Sequence, residues 1–430
     1  MLRKIINTFG TKMLSALLNF AIAAVVSQAV GDVGKGEQTL VLTTVAFILI
    51  FSEIVSGGSL VYLASRHPFS KLILPSYLWS LLVGLVAAGT VPLFYHGLPT
   101  DVVLHICALA VLASASSVNS SILVGHERVP ASNYLNLWQP VAILGMLCLC
   151  YFGFGMLDIH AYLLALYVAY GGSWLIGILM LLKEFRGFRL HPLREYSDVL
   201  RDLFQYGFLN QTSHFVQFFN LRLSYYLLDT FVDTGSTGVF SNAVSLAEAV
   251  WIISRSIALV QYARIANAGD GDYARRLTLD LLKACFAISL VAMLVLACFP
   301  SGFYRWLFGP EFGAVAPLIR ILIPGTLLYS VFLIIGHYYS GIGKYQMNTY
   351  AALCGLIFTF ACGFTLIPAY DVYGAAVTTS AAYAANAVFV LAFFLKRSGF
   401  RLRQCLITLA DIRGYRRKAG VFLQELLHKK

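Results

Sequence analysis

The chain has 430 residues, 59% hydrophobic and only 12% charged, with a mean hydropathy of +0.76 and a formal net charge of +11. A soluble domain carries roughly 25% charged residues, so this composition excludes water as the main solvent. The positive charge does not indicate nucleic-acid binding, because such proteins gather Lys and Arg on one folded face, and here they fall between apolar stretches.

From the N-terminus, Met1-Leu2-Arg3-Lys4 precedes an apolar run with small residues near Ser27-Gln28-Ala29. The run is too long for a signal peptide and contains Lys12, which predicts an uncleaved first membrane helix. A bilayer crossing needs about 20 apolar residues, and about twelve such spans are predicted. They centre near Asn19, Ile50, Gly84, Val111, Leu144, Tyr170, Gln217, Ala249, Leu290, Tyr329, Phe358 and Ala385. The expected fold is an all-α polytopic membrane protein. Most of the eight Cys lie inside these spans without C-x-x-C pairing, so neither a disulfide framework nor a zinc site is indicated.

The longest hydrophilic break, 185–202, reads as a linker between two six-span lobes, 1–184 and 203–396. A parallel duplication of this kind is known in transporters. Gly125-His126-Glu127-Arg128 and Gly341-Ile342-Gly343-Lys344 follow the fourth span of each half, and Gly34-Lys35-Gly36 and Gly235-Ser236-Thr237-Gly238 read as turns between the first two. Alternate breaks carry Arg66 and Lys71, Arg128, Lys183 to Arg194, Arg264 to Arg276, and Lys344, whereas the intervening breaks carry only Lys35 and Arg305. The positive-inside rule then places both termini in the cytoplasm. The basic tail 397–430 reads as a topology anchor, and Leu402, Leu406 and Leu409 would also suit an amphipathic surface helix.

An ionisable residue near the bilayer centre costs at least about 2.5 to 3.5 kcal/mol and normally faces a bundle interior or wet cavity. Lys12, Lys283, Arg320 and Asp229 lie near span ends, where the basic ones can snorkel. Glu53, Arg222, Glu248 and Arg255 lie deeper. In the seventh span Gln211, His214, Phe218, Arg222, Tyr225 and Asp229 share one helical face; this is either a polar helix-helix contact or a cavity lining. Counting about 1.5 Å per residue puts Arg222 and Glu248 within two turns in depth, near enough for an ion pair. Aligning Gly36 with Gly238 superposes Glu53 on Arg255, so these opposite charges could pair across an interface between the halves and close a gate. Basic groups outnumber acidic ones inside the spans, and guanidinium groups suit phosphate. That favours an anionic cargo.

Four segments resemble the oligosaccharide flippases of the polysaccharide transporter family, within the multidrug/oligosaccharidyl-lipid/polysaccharide exporter superfamily. They are Leu307-Phe308-Gly309 with Phe312, Ala316, Leu318 and Ile321-Leu322; Ser340-Gly341-Ile342-Gly343-Lys344; Leu366-Ile367-Pro368 with Tyr370 and Gly374-Ala375-Ala376; and Asp229 with Gly238-Val239-Phe240-Ser241-Asn242-Ala243 and Glu248-Ala249-Val250-Trp251. The chain departs from the family at Phe240, often Tyr there; at Asp371, usually Gly; and at Ser224, often an acid. The resemblance implies two six-helix lobes around a cavity that opens alternately to either side. Its implied cargo is an undecaprenyl-pyrophosphate-linked repeat unit for O-antigen, capsule or exopolysaccharide assembly at the bacterial inner membrane, alongside membrane lipids and other proteins of that pathway.

By that analogy the pyrophosphate belongs near Arg222 and Arg255, the sugars against Gln211, Gln217, Asn220 and Tyr225, and coupling or gating with Glu53, Glu248 and Asp229. A multidrug or cation antiporter of the superfamily would favour acids in its cavity, and a lipid II-type flippase typically carries two more C-terminal spans. A membrane polymerase or ligase would need a long external loop, whereas the longest external break, Pro300 to Ala316, reads as a turn. No phosphate loop, metal-ligand cluster or nucleophile elbow is present, so no enzyme activity, cofactor or metal is expected.

Overall fold

The computed structural model describes residues 2–94, 97, 99–268 and 270–405. The long helices are α1 (Leu2–Ser56), α2 (Phe69–Phe94), α3 (Thr100–Gly125), α4 (Val129–Cys148), α5 (Ile159–Met180), α6 (Leu193–Phe231), α7 (Thr234–Ala249), α8 (Trp251–Ala268), α9 (Gly271–Cys298), α10 (Val315–Gly341) and α11 (Gln346–Ser398). Eight described helices are long and apolar enough to cross a bilayer, and α7 with α8, bent by 40°, make a ninth span. Two of the eight, α1 and α11, have 55 and 53 residues and are each broken midway, so each crosses twice. With α6, whose polar face hides it from a hydropathy test, the expected twelve crossings are present. Of the tail, only a short helix at Leu402–Cys405 falls among the described residues; Leu406 and Leu409 lie outside them.

The helices form two lobes, α1–α5 and α6–α11. In the first, Ile106, Leu109, Leu147 and Tyr162 centre one core cluster, and Val118, Ile122 and Leu181 a second near the linker. Phe240, Phe308, Phe312 and Ile319 fill the second lobe at the end far from the linker, and Trp251, Tyr339, Tyr383 and Phe394 at the linker end. Two thirds of the expected linker is helical: residues 185–186 close a short helix, Leu182–Arg186, and 193–202 open α6, whose Val199 and Leu203 pack into the first lobe's linker-end cluster. Lys71 on α2 also reaches Glu195 on α6 at 2.7 Å, and its ammonium holds that carboxyl below the usual range.

Several expected turns fall elsewhere. The break in α1 is at Gly31 (φ 68, ψ −164), a conformation open only to glycine, so Gly34, Lys35 and Gly36 are helical. Likewise α7 is capped by the Asp233 side chain, which accepts from Ser236 N, so Gly235 to Gly238 form its opening turns. Pro300 to Ala316 is not one turn but a short helix, Ser301–Phe308, and a 3-10 segment, Pro310–Ala314, anchored by buried Tyr304, Phe308 and Phe312. Lys283 is buried rather than snorkelling, whereas Lys12 and Arg320 are exposed.

The glycines freed from turn duty make the seam between the lobes. A Cβ on Gly36 would stand 1.9 Å from the Thr234 carbonyl oxygen, and one on Gly238 would stand 2.1 Å from that of Asp32. Each glycine thus meets the carbonyl one turn before the other, the reciprocal contact that a two-fold axis imposes. On that axis, Thr39 Oγ1 donates to Ser241 Oγ at 2.8 Å, and these two residues are 202 positions apart, as are Gly36 and Gly238. Small residues let membrane helices approach this closely, where van der Waals contact replaces the absent hydrophobic force. Towards the linker end the second half of α1 also meets α6: a Cβ on Gly207 would lie 1.7 Å from Ile54 O, and Phe47 packs on Phe218 and Phe219.

The break in α11 falls at Tyr370 and Asp371, two residues beyond Pro368, which loosens the preceding turn by removing a backbone donor. Asp371 has φ 49 and ψ −131, backbone that strains any residue with a Cβ by roughly 1–3 kcal/mol. Asp371→Gly should therefore raise the melting temperature of the purified protein by a few degrees, the relief exceeding the entropic cost of glycine, roughly 0.5–1 kcal/mol. A fall in melting temperature would mean that the Asp371 side chain contributes more than its backbone costs.

Candidate functional site

Between the lobes lies a cavity of about 580 Å3, walled by α1, α4 and α5 on one side and by α7 on the other. Its lining mixes apolar with neutral polar side chains, and among the polar ones Asn19, Gln38, Asn136, Gln139 and Tyr162 from the first lobe face Asn242 and Ser245 from the second. Lys35 adds the basic charge. It sits one turn after the Gly31 break, its residue is 6% exposed, and its Nζ donates to Gln38 Oε1 at 2.6 Å. No carboxylate forms an ion pair with it among the described residues. Withdrawing an ammonium from water costs several kcal/mol unless a counter-charge or water meets it, so this arrangement favours an anion entering the cavity.

On the opposite wall stands Glu248 of α7. Behind it, Arg222 of α6 forms a bidentate pair, Nη1 to Oε1 at 2.8 Å and Nη2 to Oε2 at 2.9 Å. Tyr383 OH donates to Glu248 Oε1 at 2.9 Å, and Arg222 Nη1 also donates to Tyr225 OH at 3.2 Å. Two parallel charge-assisted bonds fix both side chains. They also cancel the charge of Arg222, so Arg222 is not the open cation that its sequence position suggests.

The other expected site residues are dispersed. Gln211 lies on the seam, with Nε2 3.4 Å from Glu53 O. Gln217 donates to Tyr329 OH at 2.6 Å inside the second lobe, and buried Asn220 accepts from Thr359 Oγ1 at 3.4 Å, facing α11 rather than the cavity. Asp229 accepts from Thr234 Oγ1 at 2.8 Å, bracing the α6–α7 connection. Arg255 is exposed, its guanidinium 5.7 Å from the Trp251 ring. Glu53 is half-buried, and the two do not pair among the described residues. The reason is the 40° bend between α7 and α8: α1 runs on through Glu53 to Ser56, whereas its counterpart turns away at Val250 before reaching Arg255.

Sequence reasoning missed Lys35, Gln38, Asn136 and Gln139. For Lys35 a signal existed, since Lys35, Gln38 and Leu42 recur at helical spacing and all three line the cavity. Reading Gly34-Lys35-Gly36 as a turn concealed it.

No family model matches the sequence. An uncharacterized membrane protein of Methanocaldococcus jannaschii is 23% identical over 289 residues, 64% of this chain and 56% of that protein, so the match spans little more than half the relative's length. Among solved structures, the lipid II flippase MurJ in an inward closed conformation superposes with a TM-score of 0.73 at 16% identity, covering 97% of this chain and 99% of that one. An inward-facing multidrug resistance MATE family transporter of the MOP superfamily gives 0.69 at 15% identity, covering 92% and 98%. A MOP superfamily transporter from Pyrococcus furiosus, described by the reverse polarity of its binding pocket, gives 0.59 at 14% identity, covering 93% and 95%. The chain has the fold of these proteins along nearly its whole length.

Proposed function

We propose that the chain flips undecaprenyl-pyrophosphate-linked oligosaccharide repeat units from the cytoplasmic to the periplasmic leaflet by alternating access, for O-antigen, capsule or exopolysaccharide assembly. The observation that carries this reading is Lys35, buried in the inter-lobe cavity among neutral polar groups. A cavity of that polarity attracts a phosphate-bearing headgroup and disfavours the cations an efflux antiporter would carry. The linker end is the cytoplasmic one under this reading, since Arg66, Lys71, Arg128 and Lys183 occur there. In a strain lacking its own flippase, expression of the chain should restore surface polysaccharide. Failure with several repeat-unit types would remove the reading in favour of cation efflux or a lipid II-type flippase.

A further inference from the structure

We propose that a second cleft, inside the second lobe between α6 and α10, binds a neutral pyranose ring of the cargo, an inference that rests on the oligosaccharide reading above. The cleft holds about 360 Å3, within the roughly 300–1,000 Å3 of small-molecule sites. No Lys, Arg, Asp or Glu lines it. Asn210, Ser213, His214 and Gln217 enter it from one face of α6, and Tyr329, Phe332 and His337 from α10.

Some of these groups are already satisfied within the lobe: Ser213 bonds Thr349 at 2.7 Å and Gln217 bonds Tyr329 at 2.6 Å. Others are open. The Asn210 amide and the exposed His214 imidazole make no hydrogen bond among the described residues, and His337, with Nδ1 2.8 Å from Leu333 O, leaves its Nε2 for a ligand. Asn210 lies one turn from Gly207 and His337 one turn from the end of α10, so these open groups stand at the mouth of the cleft, where a ligand's hydroxyls can take the place of water. Amide and imidazole groups pair with hydroxyls as both donors and acceptors. A neutral lining also leaves a charged ligand without a counter-charge. Asn210 Nδ2 stands 3.7 Å from where a Cβ on Gly58 of the first lobe would be, so the cleft adjoins the linker end of the seam.

The test is saturation-transfer NMR on the purified full chain with glucose, galactose, mannose, rhamnose, fucose, N-acetylglucosamine and N-acetylgalactosamine, and with inorganic pyrophosphate as the charged comparison. At least one neutral sugar should receive saturation, with roughly five-fold weaker binding in Asn210→Leu or His214→Phe, the loss of about one hydrogen bond. A measurement on the wild type removes dependence on the variants' folding: the bound sugar should protect His214 from diethyl pyrocarbonate, read by peptide mass spectrometry. Saturation by no sugar of the panel, or binding that leaves His214 unprotected, overturns the proposal. Sugar binding without rescue of surface polysaccharide would reject the flippase reading and leave the cleft standing. Rescue without sugar binding would do the reverse.

Discussion

On the flippase reading, Lys35→Met should lower rescue of surface polysaccharide by at least about ten-fold at equal expression, while Lys35→Arg should retain most of it. The size follows from losing a charge-assisted hydrogen bond to cargo, about 1.5–3 kcal/mol, at a position where the described residues supply no other basic group to the cavity lining. Methionine keeps most of the stem volume and removes only the charge, so folding should survive, which a melting curve checks. Arginine restores the charge on a bulkier head, and Gln38, the neighbour bonded to Nζ, can accept from it equally well. Full rescue by Lys35→Met would detach the cavity's charge from transport.

Breaking the Arg222–Glu248 pair has the largest expected effect on stability. Both side chains are mostly withdrawn from solvent, 30% and 14% exposed. Removing one partner strands the other, at a cost of about 3–5 kcal/mol, whereas replacing both with apolar groups is often close to neutral. Arg222→Met alone and Glu248→Met alone should each sharply lower the melting temperature of the purified protein, and the double variant should recover much of the loss. Tyr383 loses its acceptor in every variant without Glu248, so recovery stops short of wild type. Additive losses in the double variant would show that the two residues do not act as a pair.

Much of this was legible in the sequence because membrane solvation leaves few options. Span number follows from apolar length, and α6 announced itself by a polar face that avoids lipid. The Arg222–Glu248 pair followed from helical rise, since two helices joined by a tight connection keep their depths in register. Aligning Gly36 with Gly238 found positions that touch. What stayed hidden depends on tertiary packing. No local signal places the 40° bend at Val250, and without it Glu53 and Arg255 looked equivalent when their surroundings differ. Nor does the periodicity of α6 say which part of its polar face meets the first lobe: Gln211 does, while Asn220, nine residues on, faces α11. Asp371 was visible as a departure from a glycine position, but its positive φ was not.

Under the alternating-access reading, the Thr39–Ser241 contact is the natural fulcrum of the seam. A rotation about an axis through this hydroxyl pair would leave it nearly in place and move other contacts of the seam in proportion to their distance from it. Ile54 lies fifteen residues further along α1, about 22 Å by helical rise. Tilting by roughly 10° would swing it about 4 Å, more than enough to part it from Gly207. Leverage of that kind makes the two ends of the seam unequal reporters. If the lobes rock as the proposed function requires, a label near Thr39 should stay nearly still while one near Ile54 registers the movement.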